Sequence, residues 1–383
     1  MNTEFDEIRP YEKGEMKQAL NQLLSDRHFQ VILKGMVPWL PKAMRNGLLR
    51  LAFVGIKTPL GFQLRFMKPV VKRLIRKACS GIDFDHQALS GGDERYTFVS
   101  NHRDIVLDSA FLSVLLIENK FPTTVEIAIG DNLLIYPWIK TLVRMNKAFV
   151  VRRSLSAREL LESSRLMSRY MHHAIAHKRE NVWIAQREGR AKDSDDRTQD
   201  SVLKMLALGG EGSPIESLKA LHIVPLTISY EYDPCDYLKA KEFQQKRDDP
   251  SFKKSKQDDL DNMKIGIFGK KGRVHYHAAP CINTWLDELK DLPKTELFSA
   301  IAQRMDKSIH QGYALYPGNF VACDLLSGTN EFAAHYTAEE KNVFEQYLQS
   351  RLDLIDLPYK DVPFLRERIL TMYANPVRNK LGA

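Results

Sequence analysis

Tyr96-Thr97-Phe98-Val99-Ser100-Asn101-His102-Arg103-Asp104-Ile105-Val106-Leu107-Asp108-Ser109 is the stretch from which the rest of the chain is read. Its first five residues form a predicted strand, and the residues beyond His102 open a predicted helix. A strand that passes straight into a helix is the unit of an α/β architecture. Working outward, the same texture recurs, with further strands predicted over 125–129, 148–151, 182–185, 222–228 and 273–277 and helical periodicity between them. The clearest helix spans 156–178, where Leu160, Leu166, Met167, Tyr170, Met171, Ala174 and Ile175 recur at three- and four-residue steps as a core-facing stripe. The expected fold class is α/β, a sheet flanked by helices.

Beyond this region, helical patterns return around 297–309, 338–352 and 363–373. The stretch 239–271 is dense in Lys, Asp and Gln with little apolar periodicity, so it reads as a solvated helix or mobile insertion and is given no chemistry. Upstream, 27–82 holds 12 Lys and Arg and no Asp or Glu, so the net charge of +8 is local. In that segment Val31, Ile32, Trp39, Leu48, Leu51 and Phe53 interleave with Lys34, Lys42, Arg45, Arg50, Arg65 and Lys68. One reading is amphipathic helices on an anionic membrane surface; the other is a helical face packed on its own domain with solvated lysines. Nucleic acid is the weakest partner, because no binding motif accompanies the charge. The expected organisation is a basic amphipathic segment over 1–82, an α/β domain over 83–290 and a helical extension over 291–383.

The polar, acid-rich stretch 1–26 lacks the pattern of a secretory signal, and no run of about 18 uncharged apolar residues offers a spanning helix. Cys79, Cys235, Cys281 and Cys323 lie far apart, without the paired spacing of a zinc site or disulfide framework, so a reducing compartment and no metal are expected.

Four constellations carry chemistry. At the strand-to-helix junction, His102 has carboxylates two and six positions on, Asp104 and Asp108, either of which would fix its tautomer for proton abstraction from an alcohol. The plain alternative is a helix start with Asp104 as a first-turn acid. The His-Arg-Asp run is not a kinase loop: Ser109 stands where a kinase needs asparagine, and no glycine-rich loop or Asp-Phe-Gly is present. In the second constellation, the strand 148–151 ends in Arg152 and Arg153, two forks suited to a phosphate monoester; the plain alternative is one solvated arginine and one paired with a carboxylate. The third is Gln186-Arg187-Glu188-Gly189-Arg190-Ala191-Lys192-Asp193, where glycine admits close backbone approach and Glu188, Arg190 and Lys192 offer an acceptor and cations; a charged turn has the same composition. The fourth, Ile223-Val224-Pro225-Leu226-Thr227-Ile228-Ser229-Tyr230-Glu231, is by itself only an apolar strand.

In their order and spacing these blocks resemble the glycerol-3-phosphate and lysophosphatidate acyltransferase superfamily, over about 96–282. Asn101-His102, then 146–152 ending in Arg152, then Glu188-Gly189-Arg190, then Val224-Pro225 look like its four blocks. Gly130-Asp131-Asn132-Leu133 and Gly272-Arg273-Val274 look most like the glycerol-3-phosphate branch. There are three departures. The acid expected five residues after His102 falls on Leu107, with Asp108 one later; Asn146, which can adopt a left-handed turn, replaces a glycine; and Arg190 follows Gly189 directly.

The resemblance implies a mixed sheet flanked by helices, and a peripheral protein on the cytoplasmic face of a membrane. It further implies direct acyl transfer, without cofactor, from acyl-CoA or acyl carrier protein to a glycerolipid hydroxyl. His102 would be the base, with Asp108 favoured over Asp104 as its orienting acid. Arg103, Arg152, Arg153, Glu188, Gly189, Arg190 and Lys192 would form the substrate site. A non-phosphate lyso lipid acceptor, or a non-catalytic membrane-surface adaptor on the same fold, are the alternatives.

Overall fold

A computed structural model describes residues 3–90, 92–152 and 156–383. The chain opens with five helices, α1 (Met16–Ser25), α2 (Arg27–Met36), α3 (Lys42–Ala52), α4 (Pro59–Phe62) and α5 (Lys68–Ala78), and enters the sheet at β1 (Cys79–Asp85). β2 (Thr97–Ser100), α6 (Leu107–Glu118), β3 (Val125–Gly130), α7 (Pro137–Met145), β4 (Ala148–Val151), α8 (Ala157–Ala176) and β5 (Asn181–Ala185) follow. Then come α9 (Asp200–Ala207), α10 (Pro214–Ala220), β6 (Ile223–Tyr230), α11 (Asp236–Asp248), α12 (Lys256–Phe268) and β7 (Gly272–Ala278). Four helices close the chain: α13 (Lys294–Gln311), α14 (Pro317–Ser327), α15 (Ala338–Asp353) and α16 (Val362–Leu381).

The strands form one mixed sheet in the order β1-β7-β6-β2-β5-β3-β4. Strands β2 to β6 run parallel, β7 is antiparallel to β6, and β1 is parallel to β7. Alternation along each strand divides the core between two faces. On one face Phe98, Ile127, Trp183, Leu226 and Tyr276 pack with Leu107, Phe111, Leu112 and Leu115 of α6. On the other Val99, Phe149, Val182 and Ile184 pack with α8, α9 and α13 through Met167, Tyr170, Leu203, Ile301 and Met305. Parallel strands open their carboxyl ends to the loops that precede the covering helices, so the β2–α6, β3–α7 and β5–α9 connections gather along one edge of the sheet.

The predicted strands all form, each within two residues of its expected bounds. Strand β1 was not predicted: it lies across the expected boundary at 82, where a basic helix runs directly into Cys79-Ser80-Gly81-Ile82, a sequence without alternation. The expected boundary at 290 does not separate packing units either, since Leu297, Ile301 and Met305 of α13 belong to the sheet's core. The segment 239–271 departs most from expectation. It forms α11 and α12, and buries Lys239, Ala240, Glu242, Gln244 and Asn262. Polar composition concealed it, because these side chains are satisfied by one another and by neighbouring loops instead of by water.

Two local details bear on the site. The left-handed residue between α7 and β4 is Lys147, at φ 62°, and not Asn146, at φ −91°. Its buried ammonium donates to Thr123 Oγ1 at 3.1 Å, Thr124 Oγ1 at 3.0 Å and Glu180 at 2.7 Å, which offsets the backbone cost. Strand β4, at the sheet's margin, receives the N-terminal segment: Val150 N–H donates to the Ile8 carbonyl at 2.9 Å, and Phe5 and Ile8 enter the core beside it.

Candidate active site

Asn101 fixes the loop that carries His102. Its side-chain amide donates to the Ile228 carbonyl at 2.9 Å and accepts from Ile228 N–H at 2.7 Å, extending the β2–β6 pairing by one side chain. Asp104 stands just before the next helix, in the turn that leads into α6. One of its oxygens accepts from the backbone N–H groups of Val106 at 2.9 Å and Leu107 at 2.8 Å, so it caps α6 and has no bond to the imidazole. Burial raises its pKa above the usual carboxylate value. The residues 102–106 form an irregular turn, and this extra length brings Asp108, in the first turn of α6, back under His102.

His102 Nδ1 donates to Asp108 Oδ2 at 2.8 Å. The same oxygen accepts from the backbone N–H groups of Arg103 at 2.7 Å and Asp104 at 3.0 Å, while Oδ1 accepts from the Tyr230 hydroxyl at 2.9 Å. Asp108 is fully buried, and so many donors hold it as an acceptor. Burial and the nearby Asp108 charge push the Tyr230 hydroxyl well above its ordinary pKa, so it stays a donor. The proton of the neutral imidazole therefore sits on Nδ1, which leaves Nε2 as a lone-pair acceptor. The ring stands edge-on to Trp183, centroids 5.5 Å apart, at the wall of a cavity of about 900 Å³.

That cavity runs along the carboxyl ends of β3, β4 and β5. Its lining combines apolar side chains of β3, β4, α7 and α8 with Arg187, Glu188, Arg190, Lys192, Lys239 and Lys254. Gly189, at φ 68°, makes the turn after β5, a conformation that favours glycine. Arg190 donates to Asn262 Oδ1 at 3.1 Å, and Lys192 is paired with Glu242, which Lys246 and Lys254 also reach at 3.1 Å and 2.8 Å. Burial would raise the Glu242 pKa, but the hydrogen bonds from Lys192 and Lys254 hold it down to about 2. Burial brings Lys192 down to about 8. Lys239 donates to Asp233 at 2.5 Å, and Arg152, also on the cavity wall, is paired with Glu7.

Of the residues singled out in the sequence, His102, Arg152, Glu188, Gly189, Arg190 and Lys192 line this one cavity, with Asp108 behind the ring. Arg103 does not belong with them. Its guanidinium is buried, pairs with Asp196 at 2.6 Å and donates to Ser194 Oγ at 2.7 Å, so its charge is consumed in joining the β2–α6 loop to the 194–196 loop. Arg153 lies outside the described residues. Sequence reading missed Lys239, Phe243, Lys254, Asp259 and Met263, all from the α11–α12 segment, and also Trp183, Arg187 and Tyr230. For the first group composition gave no signal. Trp183 lay inside a predicted strand and Tyr230 in the apolar block 223–231, where an aromatic residue is ordinarily only core.

Residues 81–229 match a family model described as Acyltransferase. That segment is similar to the acyltransferase family. The matched segment runs from β1 to the end of β6 and includes the His102 loop, Arg152 and Glu188-Gly189-Arg190. It leaves α11–α12, β7 and the C-terminal helices outside the match. No curated protein matches the sequence. Among solved structures, the crystal structure of the 1-acyl-sn-glycerophosphate (LPA) acyltransferase PlsC from Thermotoga maritima aligns with 79% of this chain and 99% of its own, at 10% identity and a TM-score of 0.41.

Proposed function

We propose that the protein transfers a fatty acyl group from acyl-CoA or acyl carrier protein to a hydroxyl of glycerol-3-phosphate or lysophosphatidate, in phospholipid synthesis. The observation that carries this reading is the Nδ1–Asp108 bond at 2.8 Å, which leaves a basic Nε2 at the wall of a cavity lined by both apolar and cationic side chains. In the proposed reaction Nε2 takes the proton of the acceptor hydroxyl as its oxygen attacks the thioester carbonyl. The C–O bond forms, the C–S bond breaks, and the proton passes to the departing thiolate. Asp108 stabilises the transient imidazolium. Arg152, Arg190 and Lys192 would place the acceptor so that attack is effectively intramolecular.

Support for a membrane setting comes from α2, α3 and the turns beside them. Val31, Trp39, Leu48, Leu51 and Val54 are each more than half exposed, beside Lys34, Lys42 and Arg50. Apolar and cationic side chains on one exposed surface suit the headgroup boundary of an anionic bilayer. No described helix is long and apolar enough to cross a membrane. In this reading the protein is peripheral, on the cytoplasmic face.

One observation favours a second acceptor, a non-phosphate lyso lipid. Arg152, Lys192 and Lys239 each already face a carboxylate, so a phosphate would have to displace Glu7, Glu242 or Asp233. The test is mass spectrometry of lipid products after incubation with acyl-CoA and glycerol-3-phosphate, lysophosphatidate or an amino-acid lyso lipid. Product with a phosphate acceptor, lost in His102→Ala, is the expected result. Thioester consumption equal in wild type and His102→Ala would overturn it.

A further inference from the structure

One face of α12 is turned toward the loop that carries His102. Asp259, Asn262, Met263 and Gly266 recur at three- and four-residue steps, so they share one side of the helix. Asp259 and Met263 line the cavity, and Asn262 Oδ1 accepts from the Arg190 guanidinium at 3.1 Å. The same guanidinium reaches the Arg103 carbonyl, inside the His102 loop, at 3.5 Å. One turn beyond Asn262, Gly266 faces Asp104. A Cβ at position 266 would lie 2.5 Å from Asp104 Oδ2 and 3.3 Å from its Cγ, so even one methyl group would collide with the carboxylate. The other Asp104 oxygen, Oδ1, accepts from the Val106 and Leu107 amides. The carboxylate is thus wedged between the first amides of α6 and the backbone of α12. Lys271, fully buried, holds that end of α12 in place: its ammonium donates to the Gly266 carbonyl and, at 3.1 Å, to the Gly269 carbonyl. Its own backbone is tied down as well, with its N–H donating to Ala78 at 2.7 Å and its carbonyl accepting from Tyr232 at 2.9 Å. Burial raises the Asp104 pKa, and the Lys271 charge opposes that rise.

From this contact we propose that α12 is part of the catalytic apparatus, with Gly266 as a positioning residue for His102. It acts through Asp104. The Asp104 backbone N–H is one of two that hold Asp108 Oδ2, at 3.0 Å, and the same oxygen holds the imidazole at 2.8 Å. A displaced Asp104 side chain moves its own amide, and the error passes through Asp108 to Nε2. The inference rests on the acyl-transfer reading above and goes beyond it, because α12 lies outside the segment 81–229 that matches the family model. Two features separate positioning from plain cover. Glycine is a poor helix former, and a helix that only covered the loop would gain from an apolar side chain at 266; the space against Asp104 admits only a hydrogen. Lys271 is likewise a buried charge where an apolar side chain would cover equally well, and a buried charge is costly unless it has partners such as the two carbonyls it holds here.

The test is a double-mutant cycle in the full chain. Gly266→Ala drives a methyl group against Asp104, whereas Asp104→Ser shortens the opposing side chain and keeps a capping oxygen. Wild type, both single variants and the double variant are assayed for acyl-CoA thioester consumption with lysophosphatidate, and thermal denaturation reports whether each is folded. Gly266→Ala should lower kcat by about 10–100-fold, the scale of a misplaced catalytic group, and leave both KM values within about twofold. Added to Asp104→Ser, the same substitution should change kcat by less than about threefold, because the clash is gone. If Gly266→Ala alone does not fold, the double variant decides: folded and close in kcat to Asp104→Ser, it upholds the inference; unfolded, it overturns it. The inference is also overturned if Gly266→Ala keeps its kcat, if its effect falls on KM alone, or if its loss persists undiminished beside Asp104→Ser. Each of these outcomes leaves acyl transfer standing. Wild type without any His102-dependent thioester consumption would instead remove the reading on which the inference rests.

Discussion

The two banks of the cavity are held in opposite ways. On the His102 bank, every polar group is fixed by the backbone or by a buried partner: Asn101 by β6, Asp104 by the first amides of α6, and Asp108 by two amides, a phenol and the imidazole. On the cationic bank, Arg152, Lys192 and Lys239 are instead held by Glu7, Glu242 and Asp233. The first bank is ready before any substrate arrives; the second must exchange partners to bind an anion. Preorganised groups favour the step in which charge develops, while exchangeable ones set binding affinity.

Substitutions can break this contrast. His102→Ala should reduce kcat for thioester consumption by roughly 10²–10⁴-fold with little change in acceptor KM, since it removes only the base. A fall in affinity instead, with kcat preserved, would move the histidine to the binding bank. Asp108→Asn should lower kcat by about 10²-fold while thermal stability changes little, because it keeps a neutral acceptor but loses the charge facing the imidazolium. Asp104→Asn should leave kcat within about twofold, since asparagine caps a helix as well as aspartate does. Equal losses in the two variants would make the imidazole's orientation a property of the whole loop.

On the other bank, Arg152→Ala should raise the acceptor KM roughly tenfold if its acceptor is a phosphate, the scale of one charge-assisted hydrogen bond. Glu7→Gln should lower the same KM by about twofold, the scale of freeing the arginine from one exposed ion pair. The smallest effect is in pH dependence. Lys192 ordinarily titrates far above neutrality, and burial brings it down to about 8. Its charge is therefore present below that value and lost as pH rises through it, so acceptor KM should climb between about pH 7 and 9. In Lys192→Arg the climb should vanish, because a guanidinium stays protonated there. An unchanged profile would exclude Lys192 from acceptor binding.

How legible these banks were in the sequence follows from the same contrast. The His102 bank is local: strand, turn, cap and helix lie within Tyr96–Ser109, and the strands that frame it are short, continuously buried β-rich runs. Even so, choosing Asp108 over Asp104 needed the shape of the turn, which no helical spacing rule supplies. The cationic bank is assembled from distant segments. Lys239, Lys254 and Glu242 sit in a stretch whose composition matches a solvated helix, and only packing against the post-β5 loop makes it part of the cavity. Arg103 misled for the converse reason, since an arginine beside a candidate base looks like a ligand until its aspartate partner, 93 positions away, is found. Strand β1 was hidden because a sheet margin needs little apolar alternation when its partner β7 supplies the pairing.

The contact of Val150 with Ile8 has a consequence of its own. Strand β4 ends the sheet, and an uncovered margin of backbone amides is a template for a neighbouring molecule. The few residues around Ile8 act as a selvedge. A chain lacking them should still fold its sheet, yet join its neighbours margin to margin as concentration rises, so a tag or truncation at that end would alter solubility before it altered chemistry.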